Sequence, residues 1–424
     1  MEPQISWLRR MAVRLQSLIH HSQCPVSLDD ALDLMGILIG RQRWADVAVF
    51  SLDDALTINA ASFGYLADAI QERFHLTLSA ADLIALLLTP GDPVRGKIRK
   101  KAPFAIARLT DEYPWYAHLL NDAIKQIREL PDFSDDKKIM VMTDFSGEHA
   151  DAPNHTYSFV FFAQDKIPPF ERAVSALRTK HRYNEIAYKR LDSGPTRRAL
   201  PEFLDLIDRH IHGVVLTIAI DKDIPTVFGV DKRAAHEAII QQLEGAGLGT
   251  WTGKGPLAEK VVRICHTLAI FSSLLLSDDQ LLLWYCDNDP INADGNQRNF
   301  QHVQEIYKAS WQLFATQRLE LLGFAKSFDE KTYLDDMLSV ADLAAGAVQD
   351  LLQLEERGGS IPGGEEKLRV IKWLVTNSPF LSKIHIQITK MENGDVGTGL
   401  VTMTPTDELL NYNWTIGNAD RGCV

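Results

Sequence analysis

Acidic residues follow three predicted strands of this 424-residue sequence, where their side chains could act together. Asp144 ends one apolar, β-rich run, Asp221 ends a second and Asp287 follows a third. In a sheet covered by helices, strand ends converge on the crevice where ligands bind. Carboxylates clustered there bind hard divalent ions such as Mg²⁺ or Mn²⁺ through oxygen. Each acid alone is more often a turn former or helix cap, so the functional interpretation depends on their number.

A further acid, Asp342, borders the apolar face of a helix predicted over residues 334–352. It lies four residues after Leu338 and three before Ala345, so the three share one side of the helix. A buried ionised carboxylate needs a compensating cation, hydrogen-bond set or metal. A salt bridge to an arginine is the alternative. The small side chains of Ala345 and Gly346 predict a close approach to the sheet, which would bring Asp342 to the strand ends.

These acids also carry a resemblance to a known family. Asp-Phe-Ser-Gly at 144–147, Glu185, Asp287 after a late strand, and Ala-Asp-Leu-Ala-Ala-Gly at 341–346 follow one another in that order. In this order they resemble a large bacterial domain family of unknown function with a ribonuclease H-like fold. The resemblance covers about residues 138–355, half of the chain.

The resemblance implies a nuclease-like phosphodiester hydrolase that uses two Mg²⁺ or Mn²⁺ ions to act on RNA or DNA. Its implied catalytic and metal-binding acids are Asp144, Glu185, Asp287 and Asp342. Asp221 competes with Asp287, because the fourth strand of a ribonuclease H-like sheet pairs beside the first and Asp221 ends the fourth strand by our count. Both assignments stay open. Two departures from the family are Phe145, where Glu is usual, and Ser339-Val340, where Gln-Leu is usual.

Basic residues surround Glu185 in a protein whose formal net charge is -12. Diffuse binding of nucleic acid is disfavoured at that charge, so only local basic patches could bind phosphate. The residues predicted to contact nucleic acid are Arg182, Lys189, Arg190, Arg197 and Arg198. A solvated surface loop is an equally good interpretation of this segment.

The order of apolar patterns predicts three parts. Residues 1–137 have helical periodicity and form a predicted all-α N-terminal domain, a possible docking site for a protein partner. Strands and helices alternate over 138–356, which predicts an α/β core with a ribonuclease H-like mixed sheet and flanking helices. Residues 357–424 hold a helix and two β-like runs joined at Asn393-Gly394, a hairpin signal, and are expected to form an appendage.

Composition excludes several classes of protein. Hydrophobic residues make up 46% and charged residues 24%, as in globular proteins. The longest nearly apolar stretch, 268–276, is too short to span a membrane, and the first ten residues lack a secretory signal pattern. The four cysteines are far apart, which favours a reducing cytoplasm.

Three other motifs are set aside. Gly253-Lys254 lacks the spacing of a phosphate loop, His210 and His212 lack further metal ligands, and Cys286 has the surroundings of a core residue. Two functions compete with the nuclease. One is a catalytically inert module of the same fold that binds nucleic acid or protein, and the other is transposase-like strand transfer, for which no DNA-reading segment is visible.

Overall fold

The computed structural model describes most of the chain. The described residues are 2–21, 24–39, 43–45, 60–87, 99–134, 136–287, 289–292, 298–326, 332–357, 364–376, 378, 380–404 and 415–418. No helix in these ranges is long and apolar enough to cross a membrane.

The main element is an eight-stranded mixed sheet, accompanied by a two-stranded sheet. The strands are β1 (Arg99–Lys101), β2 (Glu129–Pro131), β3 (Lys138–Ser146), β4 (Asn154–Ala163), β5 (Gly213–Asp221), β6 (Leu281–Cys286), β7 (Leu321–Lys326), β8 (Leu381–Lys390), β9 (Val396–Thr404) and β10 (Thr415–Asn418). The order in the large sheet is β10-β9-β8-β5-β4-β3-β6-β7. Parallel pairs are β3 with β6, β6 with β7 and β5 with β8, and the remaining pairs are antiparallel.

Helices cover both faces of this sheet. Their bounds are α1 (Glu2–His21), α2 (Leu28–Leu38), α3 (Ala60–Phe74), α4 (Ala80–Leu87), α5 (Trp115–Ile124), α6 (Pro168–His181), α7 (Gly194–His210), α8 (Lys232–Gly245), α9 (Gly255–Leu275), α10 (Phe300–Phe314), α11 (Tyr333–Arg357) and α12 (Gly364–Val375). Helices α6, α7, α11 and α12 pack on one face, here the α11 face. Helices α5, α8, α9 and α10 pack on the other, the α9 face.

Alternation along β3 decides which side chain meets which face, because successive residues of a strand point to opposite sides. Met140 and Met142 belong to the core of the α11 face, whereas Ile139 and Val141 belong to that of the α9 face. Asp144 continues the methionine series. The strand pattern therefore directs this carboxyl group toward α11.

The predicted hairpin that follows is confirmed, since β3 pairs antiparallel with β4. Gly147 has φ of +80° at the exit of β3, a conformation that favours glycine. A Cβ atom there would lie 2.0 Å from the carbonyl oxygen of Asn154, so only glycine fits this turn.

The position of β5 corrects the strand count made from the sequence. It is the third strand counted from β3, not the fourth, and it lies beside β4 rather than beside β3. The connection from β4 contains α6 and α7, yet β5 returns antiparallel to β4. The fourth strand is β6, and it is this strand that pairs parallel with β3.

The predicted division of the chain differs from the structure at both ends. Within residues 99–134, β1 pairs with β2 and α5 joins the core of the α9 face, so the predicted all-helical segment is not all helical up to residue 137. Helices α1 to α4 share a separate apolar cluster. Toward the other end, β8 and β9 form the predicted hairpin but extend the large sheet from β5, because the edge of that buried strand needs a hydrogen-bonding partner.

Candidate acidic cleft

Two of the predicted acids lie next to each other at the ends of paired strands. Thr143 of β3 is in register with Cys286 of β6, and these strands run parallel about 4.8 Å apart. The next residues along the two strands are Asp144 and Asp287. The backbone N–H of Asp287 donates to the carbonyl oxygen of Thr143 at 3.5 Å, which keeps the two chain ends together.

Asp342 approaches the same place from helix α11. Its Oδ2 atom accepts a hydrogen bond of 2.6 Å from the backbone N–H of Tyr188, which begins a short 3₁₀ helix. The Tyr188 ring lies against Gly346, where an added Cβ would come within 2.2 Å of the ring. The small residue therefore admits Tyr188 rather than the sheet, a correction to the role predicted for Gly346. The result is a fixed carboxyl group facing the strand ends.

A cavity of about 520 Å³ collects these side chains. It is lined by Asp144, Glu185, Asp287, Asp289 and Asp342. We call the site formed by the first, second, third and fifth of these residues the acidic cleft. Glu185 is exposed, whereas the other three are partly shielded from solvent. All four acids that the family resemblance implies thus line one cavity.

The negative charges in the cleft act on one another. Burial raises the pKa of Asp144 well above its usual range, and the charges of Asp342 and Asp287 raise it further. Burial raises the pKa of Asp342 to about 6, against the effect of the Tyr188 N–H, and Glu185 adds to the increase. Each shift means that the ionised form is disfavoured, which is the condition that a bound cation would relieve.

Metal ligation was tested on the donors themselves. All four are carboxylates, the type of ligand that Mg²⁺ and Mn²⁺ take. No basic side chain in the described part of the chain forms an ion pair with Asp144, Asp287 or Asp342. Within those ranges, however, no three Asp, Glu, His or Cys side chains are close enough together to hold an ion. The acids fit the ion by chemistry and share a cavity, but they do not form a closed coordination shell.

Asp221 lies outside the acidic cleft. Its Oδ1 accepts the N–H of Asp223 at 2.8 Å, and its Oδ2 accepts the N–H of Lys390 at 3.1 Å. It ends β5, with β4 between it and β3. The structure therefore separates the two alternatives, because Asp287 lines the cavity and Asp221 stabilises a turn.

The predicted basic residues do not act as one surface. Lys189 and Arg190 line the cavity and are exposed. Arg197 instead pairs with Glu366 of α12 at 2.5 Å, so its charge is neutralised. Arg182 ends α6 in the left-handed conformation, and both it and Arg198 are exposed away from the cavity lining.

Two residues near the cleft escaped sequence reasoning. Lys260 of α9 pairs with Asp289 at 2.8 Å and lies over the Phe145 ring at 5.1 Å. Gln349 follows Asp342 by two helical turns, a spacing that could have revealed it. The Gln349 side chain accepts a hydrogen bond of 2.7 Å from Thr156, while its buried amide nitrogen has no partner. Lys260 gave no local signal, because its helix is remote in sequence from the acids.

The histidines and cysteine set aside above are core residues. Burial lowers the pKa of His210 to about 4 and that of His212 to about 3, so both are neutral near pH 7. Burial raises the pKa of the Cys286 thiol to about 12. None of the three has the properties of a ligand or nucleophile.

Comparisons with known proteins add no relative. The chain matches no protein-family model, and it has no significant match among curated proteins.

Proposed function

We propose that this protein is a metal-dependent nuclease with a ribonuclease H-like core. The observation that carries the proposal is the convergence of Asp144, Asp287 and Asp342, from two paired strands and one helix, on a single cavity. The sheet supports it too, because the fourth strand from β3 pairs beside β3, as the resemblance implies. The acids have to be tested together, since each alone has an ordinary structural explanation.

The residues that would hold Mg²⁺ or Mn²⁺ are Asp144, Asp287 and Asp342, with Glu185 reaching the same cavity from an exposed segment. Bound ions of this kind activate a water molecule and stabilise the leaving oxygen of a phosphodiester. The Tyr188 N–H fixes the orientation of one ligand, Asp342.

Nucleic acid is the proposed partner, because phosphate groups carry the charge that the exposed cations at this cleft attract. Lys189 and Arg190 would contact the phosphates on either side of the reacting one. The free Cys24, Cys265 and Cys286 are compatible with the proposed reducing cytoplasm. A protein partner on the N-terminal helices stays a prediction.

The direct test is cleavage of labelled RNA and DNA, each single- and double-stranded, with Mg²⁺ or Mn²⁺. Wild-type protein is expected to cleave at least one of these, and Asp144→Asn and Asp342→Asn are expected to lose the activity. Asp221→Asn is the matched control, since that carboxylate also ends a strand but lies outside the cleft. Cleavage that survives Asp144→Asn, or none by wild type on any substrate, would refute the proposal.

Calorimetry separates the nuclease from an inert module of the same fold. Wild-type protein is expected to bind Mn²⁺ stoichiometrically, and Asp342→Asn is expected to abolish the binding heat. An inert relative has no need of the ion. If Mn²⁺ does not bind while labelled nucleic acid does, the inert binding module replaces the nuclease.

A further inference from the structure

A second cavity lies on the opposite side of β3 from the acidic cleft. It has a volume of about 290 Å³ and opens beside the first turn of α9. Ser146 and Glu148 line both cavities, so the two are neighbours across the end of one strand. A ligand here would lie close to the acidic cleft without touching its carboxylates.

Cationic side chains set the character of this second cavity, which we call the cationic pocket. They are Lys222, Lys232, Lys260 and Arg263. Only two carboxylates, Glu148 and Glu259, line the same cavity, which leaves an excess of positive charge in a chain of net charge -12.

The two carboxylates are already occupied. Glu259 is buried, pairs with Arg263 and lies 2.7 Å from Nε2 of His236. Glu148 pairs with Lys260, which also holds Asp289. They therefore leave other cations of the pocket without a carboxylate partner.

Lys222 is the clearest of these cations. Its Nζ atom donates to the carbonyl oxygen of His149 at 2.7 Å, a neutral acceptor, and no described carboxylate forms an ion pair with it. Lys232 is exposed at the start of α8 and likewise forms no ion pair with a described residue. Two lysine charges thus face one cavity without compensation.

Arg263 contributes a buried donor. Its side chain is 6% exposed, and its Nε atom has no hydrogen-bond partner although its terminal nitrogen binds Glu259. A buried donor without an acceptor is costly, and an oxygen-rich anion would supply one. The Arg263 guanidinium is also the group that would recognise a phosphate through its planar fork of donors.

His155 reports the resulting field. It lines the pocket and stacks near Tyr157, with ring centroids 6.5 Å apart. Burial lowers its pKa to about 4, and the positive charges of Arg263, Lys222 and Lys260 lower it further. The ring is therefore neutral near pH 7 and can donate one hydrogen bond without adding charge.

We propose that the cationic pocket binds a phosphate group, held by Lys222, Lys232 and Arg263. The phosphate belongs either to a strand of nucleic acid or to a small phosphate compound. In the first case, the pocket would anchor the strand beside the acidic cleft. That consequence rests on the proposed nuclease function, whereas phosphate binding itself does not.

The test uses the full chain in EDTA, with inorganic phosphate titrated and followed by ³¹P NMR. Lys222→Gln and Lys232→Gln are each expected to weaken phosphate binding about fivefold, the effect of losing one partly exposed ion pair. Lys254→Gln is the matched control, because this exposed lysine also lies near the start of α9 but does not line the pocket. Its affinity for phosphate is expected to equal that of the wild type.

A second arm identifies the source of the phosphate. A short RNA or DNA with hydroxyl ends carries only diesters, and its affinity is measured by fluorescence anisotropy. A loss in Lys222→Gln equal to that for inorganic phosphate supports a nucleic-acid strand, and an unchanged affinity supports a small phosphate compound.

Either of two results would overturn the phosphate pocket: no binding of inorganic phosphate, or equal weakening by Lys222→Gln and Lys254→Gln. Asp144→Asn is expected to bind phosphate normally, because it alters only the acidic cleft. Failure of the nuclease and failure of the pocket can thus be told apart.

Discussion

Removing one charge from the acidic cleft should stabilise the protein when no metal is present. Asn at position 342 can still accept the 2.6 Å hydrogen bond from the Tyr188 N–H through its amide oxygen. What Asp342→Asn removes is the buried negative charge. The expected sign is therefore opposite to that of most substitutions at buried polar positions.

The magnitude follows from the pKa of Asp342. The folded value is about 6 against an ordinary value of 3.8, so the ionised group destabilises the fold. Above about pH 6 this penalty is fully present, and it disappears as the pH falls toward 4, where the unfolded chain is also protonated. A difference of roughly two pKa units corresponds to at most about 3 kcal/mol at pH 7.

Thermal unfolding in EDTA and in Mn²⁺ measures both parts of this prediction. Asp342→Asn should unfold at a higher temperature than wild type in EDTA, whereas Mn²⁺ should stabilise wild type and leave the variant unchanged. Asp221→Asn serves as control and should gain no stability, since its carboxylate accepts two backbone N–H groups. A less stable Asp342→Asn protein in EDTA, together with equal Mn²⁺ responses, would refute the reasoning.

Three further substitutions test particular contacts. Gly147→Ala should destabilise the fold by about 1 to 3 kcal/mol or more in denaturant titrations, because its Cβ would meet the Asn154 carbonyl at positive φ. Gly346→Ala should displace the Tyr188 ring and reduce Mn²⁺ affinity in calorimetry, while circular dichroism stays unchanged. Burial lowers the pKa of His385 to about 4, so the unfolded chain binds its proton first as the pH falls below about 6.5. His385→Leu should therefore lose less stability than wild type between pH 6.5 and 4.

Local patterns predicted much of the secondary structure but not how distant strands pair. The β3–β4 hairpin, the strand over 281–286 and the long helix with Asp342 are all visible as periodicity in the sequence. Asp221 and Asp287 could not be separated, because both follow buried apolar strands. Their difference depends on which strand pairs with β3, a contact between residues about 140 positions apart that no local signal encodes.

The C-terminal strands illustrate the same limit. Asn393-Gly394 predicted the β8–β9 hairpin, and Gly394 does adopt positive φ. The edge to which the hairpin binds was not predicted. One signal was available, because β5 is apolar over its whole length and buried on both faces, as expected of a strand with neighbours on each side.

The Phe145 departure gains a physical meaning from strand alternation. Because neighbouring residues of β3 face opposite sides, Asp144 enters the acidic cleft while Phe145 packs on the α9 face, edge-on to Tyr157 at 5.8 Å. The replacement of the usual Glu therefore leaves the four cleft acids unchanged. It alters the cationic side instead, where the ring lies beneath Lys260 and adds no negative charge. A carboxylate there would compete with a phosphate for the same lysine, so Phe at this position favours an anionic ligand.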